Sequence, residues 1–191
     1  MSNQFTIYDL QFLISCIYFF LPAYLANMVP PLAKRFNILN FLAFPIDLNK
    51  KFLGKPIFGS HKTLRGAVLS FFVGFLVVIF QNVLYRFDFF KEISILNYSE
   101  INLSLFAFLM SFGVVFGDLF FAFVKRRIGL KPGAPFLPFD QTNYVFGAFL
   151  FLQPYLKLDL RVWFLIFILT FFLHIIFNRV GYILRIHNAK W

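Results

Sequence analysis

Four stretches of this chain are apolar for long enough to cross a lipid bilayer as helices, and that constrains the fold more than any other feature. A hydrocarbon core of about 30 Å needs about 20 apolar residues at the rise of an α-helix. The stretches Ile7 to Val29, Gly66 to Leu84, Ile101 to Val124 and Leu160 to Val180 meet that need. Inside lipid each backbone N–H and C=O must find a partner within the protein, so these stretches are expected to be helices. A Phe-rich soluble core is the alternative. Composition argues against it, because 60% hydrophobic residues, 33 of the 191 being Phe, and only 14% charged ones leave too little polar surface to face water.

Between the third and fourth stretches, Tyr144 to Leu156 is apolar but short. By length it is a short crossing, a tilted helix continuing from Phe136, or a re-entrant segment. Counting it as a crossing gives an all-α, polytopic integral membrane protein of about five transmembrane helices, read as one domain over residues 1–191. No internal repeat divides the chain. The first apolar stretch has no basic segment before it and no small-residue cleavage site after it, so it reads as a retained span. Cys16, the only cysteine, excludes a disulfide framework and a cysteine metal cluster.

Orientation follows from the basic residues, since Lys and Arg near span ends stay on the cytoplasmic side. The segment Pro30 to Arg65 carries Lys34, Arg35, Lys50, Lys51, Lys55, Lys62 and Arg65, and Lys125, Arg126, Arg127 and Lys131 follow the third span. Tyr85 to Glu100 holds only Arg86 and Lys91 against three carboxylates, and no basic residue precedes the first span. The expectation is a multi-pass plasma-membrane protein with its N-terminus outside, both basic loops in the cytoplasm, and Arg179, Arg185 and Lys190 also inside.

Those two loops are where chemistry is expected. From Pro45-Ile46-Asp47 through Gly54-Lys55 and Phe58-Gly59-Ser60-His61-Lys62-Thr63 to Arg65-Gly66, glycine, hydroxyl and cation alternate. Glycines let the backbone approach closely, while amides, Lys point charges and the Arg fork neutralise phosphate oxygens. The pattern is not a Walker motif, and a basic loop beside a membrane also serves as a topology determinant on anionic headgroups. In the second loop Asp118 follows Gly117 within an apolar run, where a lone carboxylate would be costly, so a cation should lie nearby. Asp140 follows the Pro- and Gly-rich stretch Lys131 to Pro138. Two carboxylates beside a triphosphate suit Mg²⁺; pairing of Asp118 with an Arg of its own loop is the competing reading. His174, in mid-span, is expected to make a hydrogen bond within the bundle, and His187 lies in the tail.

Taken together these blocks resemble the CDP-archaeol synthase family and, more distantly, the bacterial phosphatidate cytidylyltransferases. The residues carrying the resemblance are Ala26-Asn27 with Pro30-Pro31-Leu32, Pro45-Ile46-Asp47, Gly54-Lys55, Phe58-Gly59, His61-Lys62-Thr63, Arg65-Gly66, Gly117-Asp118, Phe123, Lys125-Arg126-Arg127, Gly129, Pro132-Gly133, Pro138-Phe139-Asp140-Gln141 and Gly147-Ala148. The resemblance implies five transmembrane helices around a cytoplasmic polar cavity, and transfer of CMP from CTP to a lipid phosphate with Mg²⁺. Phospholipid biosynthesis is the implied setting. It further implies that Asp118, Asp140 and the residue at Asn143 serve the metal. Lys62, Arg65, Lys125 and Arg126 would contact the nucleotide or leaving pyrophosphate, with His61, Thr63 and Arg127 as further nucleotide contacts. Asp47 and Asn27 are weaker assignments.

Three positions depart from the family pattern: Ala122 where serine is expected, Asn143 where aspartate is expected, and Leu64 in place of tryptophan. Asn143 removes a negative charge from the implied metal site. Two rival readings therefore stand beside the enzyme, an inactive relative and a small-solute uptake component, although the spans offer the latter few polar residues beyond Asn27, Gln153 and His174. No nucleic-acid partner is expected, and assembly into a homo-oligomer is left open.

Overall fold

The structure, a computed structural model, describes residues 7–184, with side chains from Leu10 onward. The expectations attached to the extreme N-terminus, Arg185, His187 and Lys190 fall outside them. Six helices form: α1 (Ile7–Arg35), α2 (Leu64–Leu84), the short α3 (Asp88–Glu92), α4 (Leu103–Arg127), α5 (Phe139–Leu156) and α6 (Leu160–Ile183). In the α1–α2 connection, a 3₁₀ turn at Asn40–Leu42 leads to a hairpin of two-residue strands, β1 (Lys51–Phe52) and β2 (Lys55–Pro56). The helix starts are capped as local chemistry dictates: Thr63, Asn102 and Asp159 accept hydrogen bonds from the amides of Gly66, Leu105 and Arg161.

Helix α1 runs six residues beyond the expected end, straight through Pro30 and Pro31. A helical proline has no N–H to offer the carbonyl four residues back, so that carbonyl is orphaned. Two such carbonyls are satisfied by α2 instead. Pro22 frees Tyr18, whose oxygen accepts from Gln81 Nε2 at 2.6 Å; Pro30 frees Ala26, whose oxygen accepts from Ser70 Oγ at 2.8 Å. Both α2 side chains are buried. Gln81 also accepts from the Tyr98 hydroxyl at 3.2 Å, which ties the α3–α4 connection to the same network.

α4 and α5 approach backbone to backbone, because glycine replaces the side chains that would separate them. A Cβ on Gly113 would stand 2.8 Å from the Gly147 carbonyl oxygen, and one on Gly147 would stand 2.6 Å from the Gly117 nitrogen. Lipid supplies no hydrophobic drive for helices to associate, so close van der Waals fit of this kind takes its place. The remaining core is aromatic. Phe19 and Phe20 of α1 meet Trp163 of α6 edge-on, Phe19 stacks on Phe106, and Phe20 stacks on Tyr144.

The contacts between helix ends fix the direction of each helix. Arg35 donates to the Leu184 carbonyl at 2.9 Å, and Lys125 reaches Asp140 at 2.8 Å, so the ends of α1, α4 and α6 and the start of α5 share one face. At the other face, Gln11 meets the Glu92 carbonyl and the Tyr155 hydroxyl accepts from the Asn102 amide at 3.0 Å. Both basic loops therefore lie at the same end. Four helices are long and apolar enough to cross a membrane: α1, α2, α4 and α6. α5 has 18 residues, about 27 Å at 1.5 Å each, and runs between the same two faces as α4 although its first turn is polar. Of the three expectations for this segment, the re-entrant one is not met: a single helix forms, starting three residues after Phe136.

Candidate functional site

The first side chain to be placed is Asp47, which organises the α1–α2 loop. Its carboxylate accepts from the amides of Asn49 at 3.0 Å and of Phe58 and Gly59 at 2.9 Å. Burial alone would push its pKa up. The amides of Gly59, Phe58 and Asn49 outweigh that and hold it below the ordinary carboxylate value. Beside it, the Ile46 amide donates to the Lys62 carbonyl at 2.8 Å and the Leu64 amide to the Phe44 carbonyl at 3.0 Å. The stretch His61 to Thr63 is thereby locked against Phe44 to Asp47, with the Lys62 side chain directed towards α4.

Lys62 Nζ meets Asp118 Oδ1 at 2.5 Å, and Asn143 Nδ2 donates to the same oxygen at 3.2 Å. About two turns further along α4, Lys125 Nζ lies 2.8 Å from both oxygens of Asp140, one of which also accepts from the Phe136 amide. The cation that an apolar run around Asp118 demanded is thus Lys62 from the other loop, and no Arg of its own loop pairs with it among the described contacts.

All of these groups open onto one cavity of about 660 Å³. His61, Lys62, Asp118, Lys125, Arg126, Asp140 and Asn143 line it. Arg126 is buried, and its Nε and Nη1 have no hydrogen-bond partner among the described residues. The same holds for Oε1 of Gln141, a lining residue the sequence reading gave no role. A second, apolar wall comes from Met28 and Leu32 of α1 with Leu173 and Phe177 of α6, where Asn178 and His174 are hydrogen-bonded at 3.2 Å. Asn27 lines the cavity as well as a smaller chamber of about 80 Å³ beside Lys62.

Other candidates sit elsewhere. The Arg127 guanidinium is turned outward to the carbonyls of Phe52, Lys55 and Pro56 and lies over the rings of Phe52 and Phe123. Arg65 is buried against Asn40 Oδ1 at 2.7 Å. Neither lines the cavity. Thr63 caps α2 and borders the smaller chamber.

The donor set can be tested against a divalent cation. Among the described residues no cluster of three or more His, Cys, Asp or Glu forms, so there is no all-protein cage. Two carboxylates facing one cavity do suit Mg²⁺, which keeps several waters and takes substrate phosphates for the rest of its shell. The lining charges leave room for such a cation, since Lys62, Lys125 and Arg126 exceed Asp118 and Asp140 by only one.

Residues 7–191 match the family model described as CarS-like, CDP-archaeol synthase. The CDP-archaeol synthase of Pyrobaculum islandicum is 32% identical over 92% of this chain and 98% of its own length, and that of Saccharolobus islandicus 34% identical over 94% and 96%. The same enzyme of Methanocaldococcus jannaschii is 28% identical over 95% and 98%. A solved intramembrane enzyme for archaeal membrane lipid biosynthesis superposes with a TM-score of 0.66 at 24% identity, covering 85% of this chain and 91% of the other, and so shares the fold. By the family match over nearly its whole length, the chain belongs to the CDP-archaeol synthase family.

Proposed function

We propose that this protein transfers CMP from CTP to the phosphate of an ether lipid, giving a CDP-lipid of the CDP-archaeol type and pyrophosphate. The observation that carries the reading is a single cavity with two walls: a charged one from Lys62, Asp118, Lys125, Arg126 and Asp140, and an apolar one from α1 and α6. A polar headgroup and a nucleotide meet on the first; lipid chains lie along the second. Diacyl lipid phosphate is the alternative substrate, since an apolar wall such as that of Met28, Leu32, Leu173 and Phe177 accepts ether-linked and ester-linked chains alike.

In this scheme a lipid phosphate oxygen attacks the α-phosphorus of CTP, a new P–O bond forms, and the bond from that phosphorus to the bridging oxygen of the β-phosphate breaks, releasing pyrophosphate. The attacking group is already an anion at neutral pH, so no side chain has to remove a proton. Lys62, Lys125 and Arg126 hold the phosphates in line and offset the charge that builds on their oxygens. Asp118 and Asp140 would hold Mg²⁺, whose chemistry there is to draw charge from the phosphate oxygens. On ligand entry the two lysines exchange carboxylate partners for phosphate ones. The two basic loops share one face, and reading that face as cytoplasmic from its charge supports a cavity within reach of soluble CTP.

The test is purified protein in vesicles with radiolabelled CTP, Mg²⁺ and either an archaeal ether-lipid phosphate or phosphatidic acid. CDP-lipid forms with the ether substrate, and Asp118→Asn and Asp140→Asn each lower its rate by about 10²-fold or more. Absence of product with both lipids, from protein that still binds CTP, would establish the inactive-relative reading.

A further inference from the structure

The α1–α2 connection carries features that the reaction leaves unused. Leu53 is the most exposed large apolar side chain among the described residues, at 80%, and Phe41 is 74% exposed. Phe36, Phe44, Leu48 and Phe52 are exposed too, interleaved with the exposed Lys50, Lys51 and Lys55. Such a row is a liability in water.

The backbone adds to the case. Leu53 (φ 49°) and Gly54 (φ 75°) are the two loop residues of the β1–β2 hairpin, both left-handed. Asn-Gly suits that turn, and leucine is poorly suited to it for steric reasons. Leu48 adopts the same φ of 49°. A strained, solvent-facing leucine at a turn tip has a physical reason if the tip does not face water.

The hairpin's position says what it faces. Phe52 packs on Phe123 of α4 with ring centroids 6.3 Å apart, and the Arg127 guanidinium lies over both rings. One turn back along α4 is Phe120, an exposed residue on a membrane-crossing helix. The hairpin therefore packs against the last turns of α4, beside an exposed apolar residue of a helix long and apolar enough to cross a membrane, and its apolar tip is exposed.

We propose that this connection is an interfacial membrane anchor. Leu53, Phe41 and Leu48 enter the boundary between headgroups and acyl chains, while Lys50, Lys51 and Lys55 lie among anionic headgroups of the same leaflet. Arg127 binds the hairpin carbonyls and Lys55 Nζ returns a bond to the Arg127 carbonyl at 2.9 Å. Lipid contact at the tip thus steadies the end of α4, two residues from Lys125.

Nitroxide depth measurement tests this without any reference to activity. In a Cys16→Ala background, Leu53→Cys, Phe41→Cys and, as an aqueous control, Glu100→Cys are spin-labelled and the full chain is placed in vesicles of phosphatidylcholine with or without phosphatidylglycerol. Labels at 53 and 41 should collide more with oxygen than with a water-soluble nickel chelate, more so with phosphatidylglycerol present, and the control should show the reverse. Preferential collision with the chelate at both sites would overturn the proposal. So would shielding from both reagents that is relieved by diluting the protein in lipid, which would mean that a second copy covers the surface.

Discussion

At the scale of single residues, Asn143 bears most directly on the proposed metal site. Its amide donates to Asp118 Oδ1 at 3.2 Å, something a carboxylate at that place could not do. Two carboxylates so close repel one another, and a divalent cation relieves the repulsion. Asn143→Asp should therefore lower the Mg²⁺ concentration that half-maximally raises the unfolding temperature in the presence of CTP, by about tenfold, and should destabilise the metal-free protein. An unchanged Mg²⁺ dependence would mean that position 143 does not face the cation. Asn143 was found from the sequence only because the resemblance led one to expect an aspartate there. Gln141, its buried neighbour two residues away, belongs to the same block of resemblance but was given no role, and its place on the cavity wall is what the structure adds.

At the scale of elements, the prolines of α1 and the polar residues of α2 form one design. Pro30 withholds an N–H from the Ala26 carbonyl and Ser70 supplies a hydroxyl in its stead. Ser70→Ala leaves that carbonyl buried and unpaired, a loss of about 1–3 kcal/mol. In a Pro30→Ala background the helix itself restores the bond, and Ser70→Ala should then be nearly neutral. Thermal unfolding of the four proteins in detergent measures this coupling; additive effects would show that Ser70 and Pro30 act independently. The sequence makes the prolines and the serine visible but not their meeting, because spacing along a chain does not reveal which neighbouring helix faces a given turn. For the same reason α1 was expected to stop at Val29: the usual penalty for proline assumes that no neighbour takes up the freed carbonyl. Helices α2, α4 and α6 were legible to within three residues at either end, since unbroken apolar length dictates them. The start of α5 was less sharply marked, because Gln141, Thr142 and Asn143 are polar residues buried in helix and Asp140 is a half-buried one, where composition alone suggests a loop.

At the scale of the molecule, the helix directions bring two loops separated by some 60 residues of sequence to one face, and charge asymmetry had already assigned both to one side. The pairing of Lys62 with Asp118 was legible only as a need for a cation near that carboxylate, and the pairing of Lys125 with Asp140 was not legible at all; which cation met which carboxylate depends on how Asp47 shapes its loop and how tightly Gly113 and Gly117 seat α5. Arg65 and Arg127 show the limit of reading by residue type, as both guanidiniums are engaged with protein oxygens away from the cavity. The central claim is that anionic and cationic side chains of the two loops jointly form one receptor for a metal-bound triphosphate. Calorimetric titration of CTP into the purified protein with and without Mg²⁺ tests it most directly. The account predicts Mg²⁺-dependent binding that Asp118→Asn and Asp140→Asn each abolish while the fold is retained. CTP affinity that is indifferent to Mg²⁺, or a Mg²⁺ dependence that survives both substitutions, would contradict it.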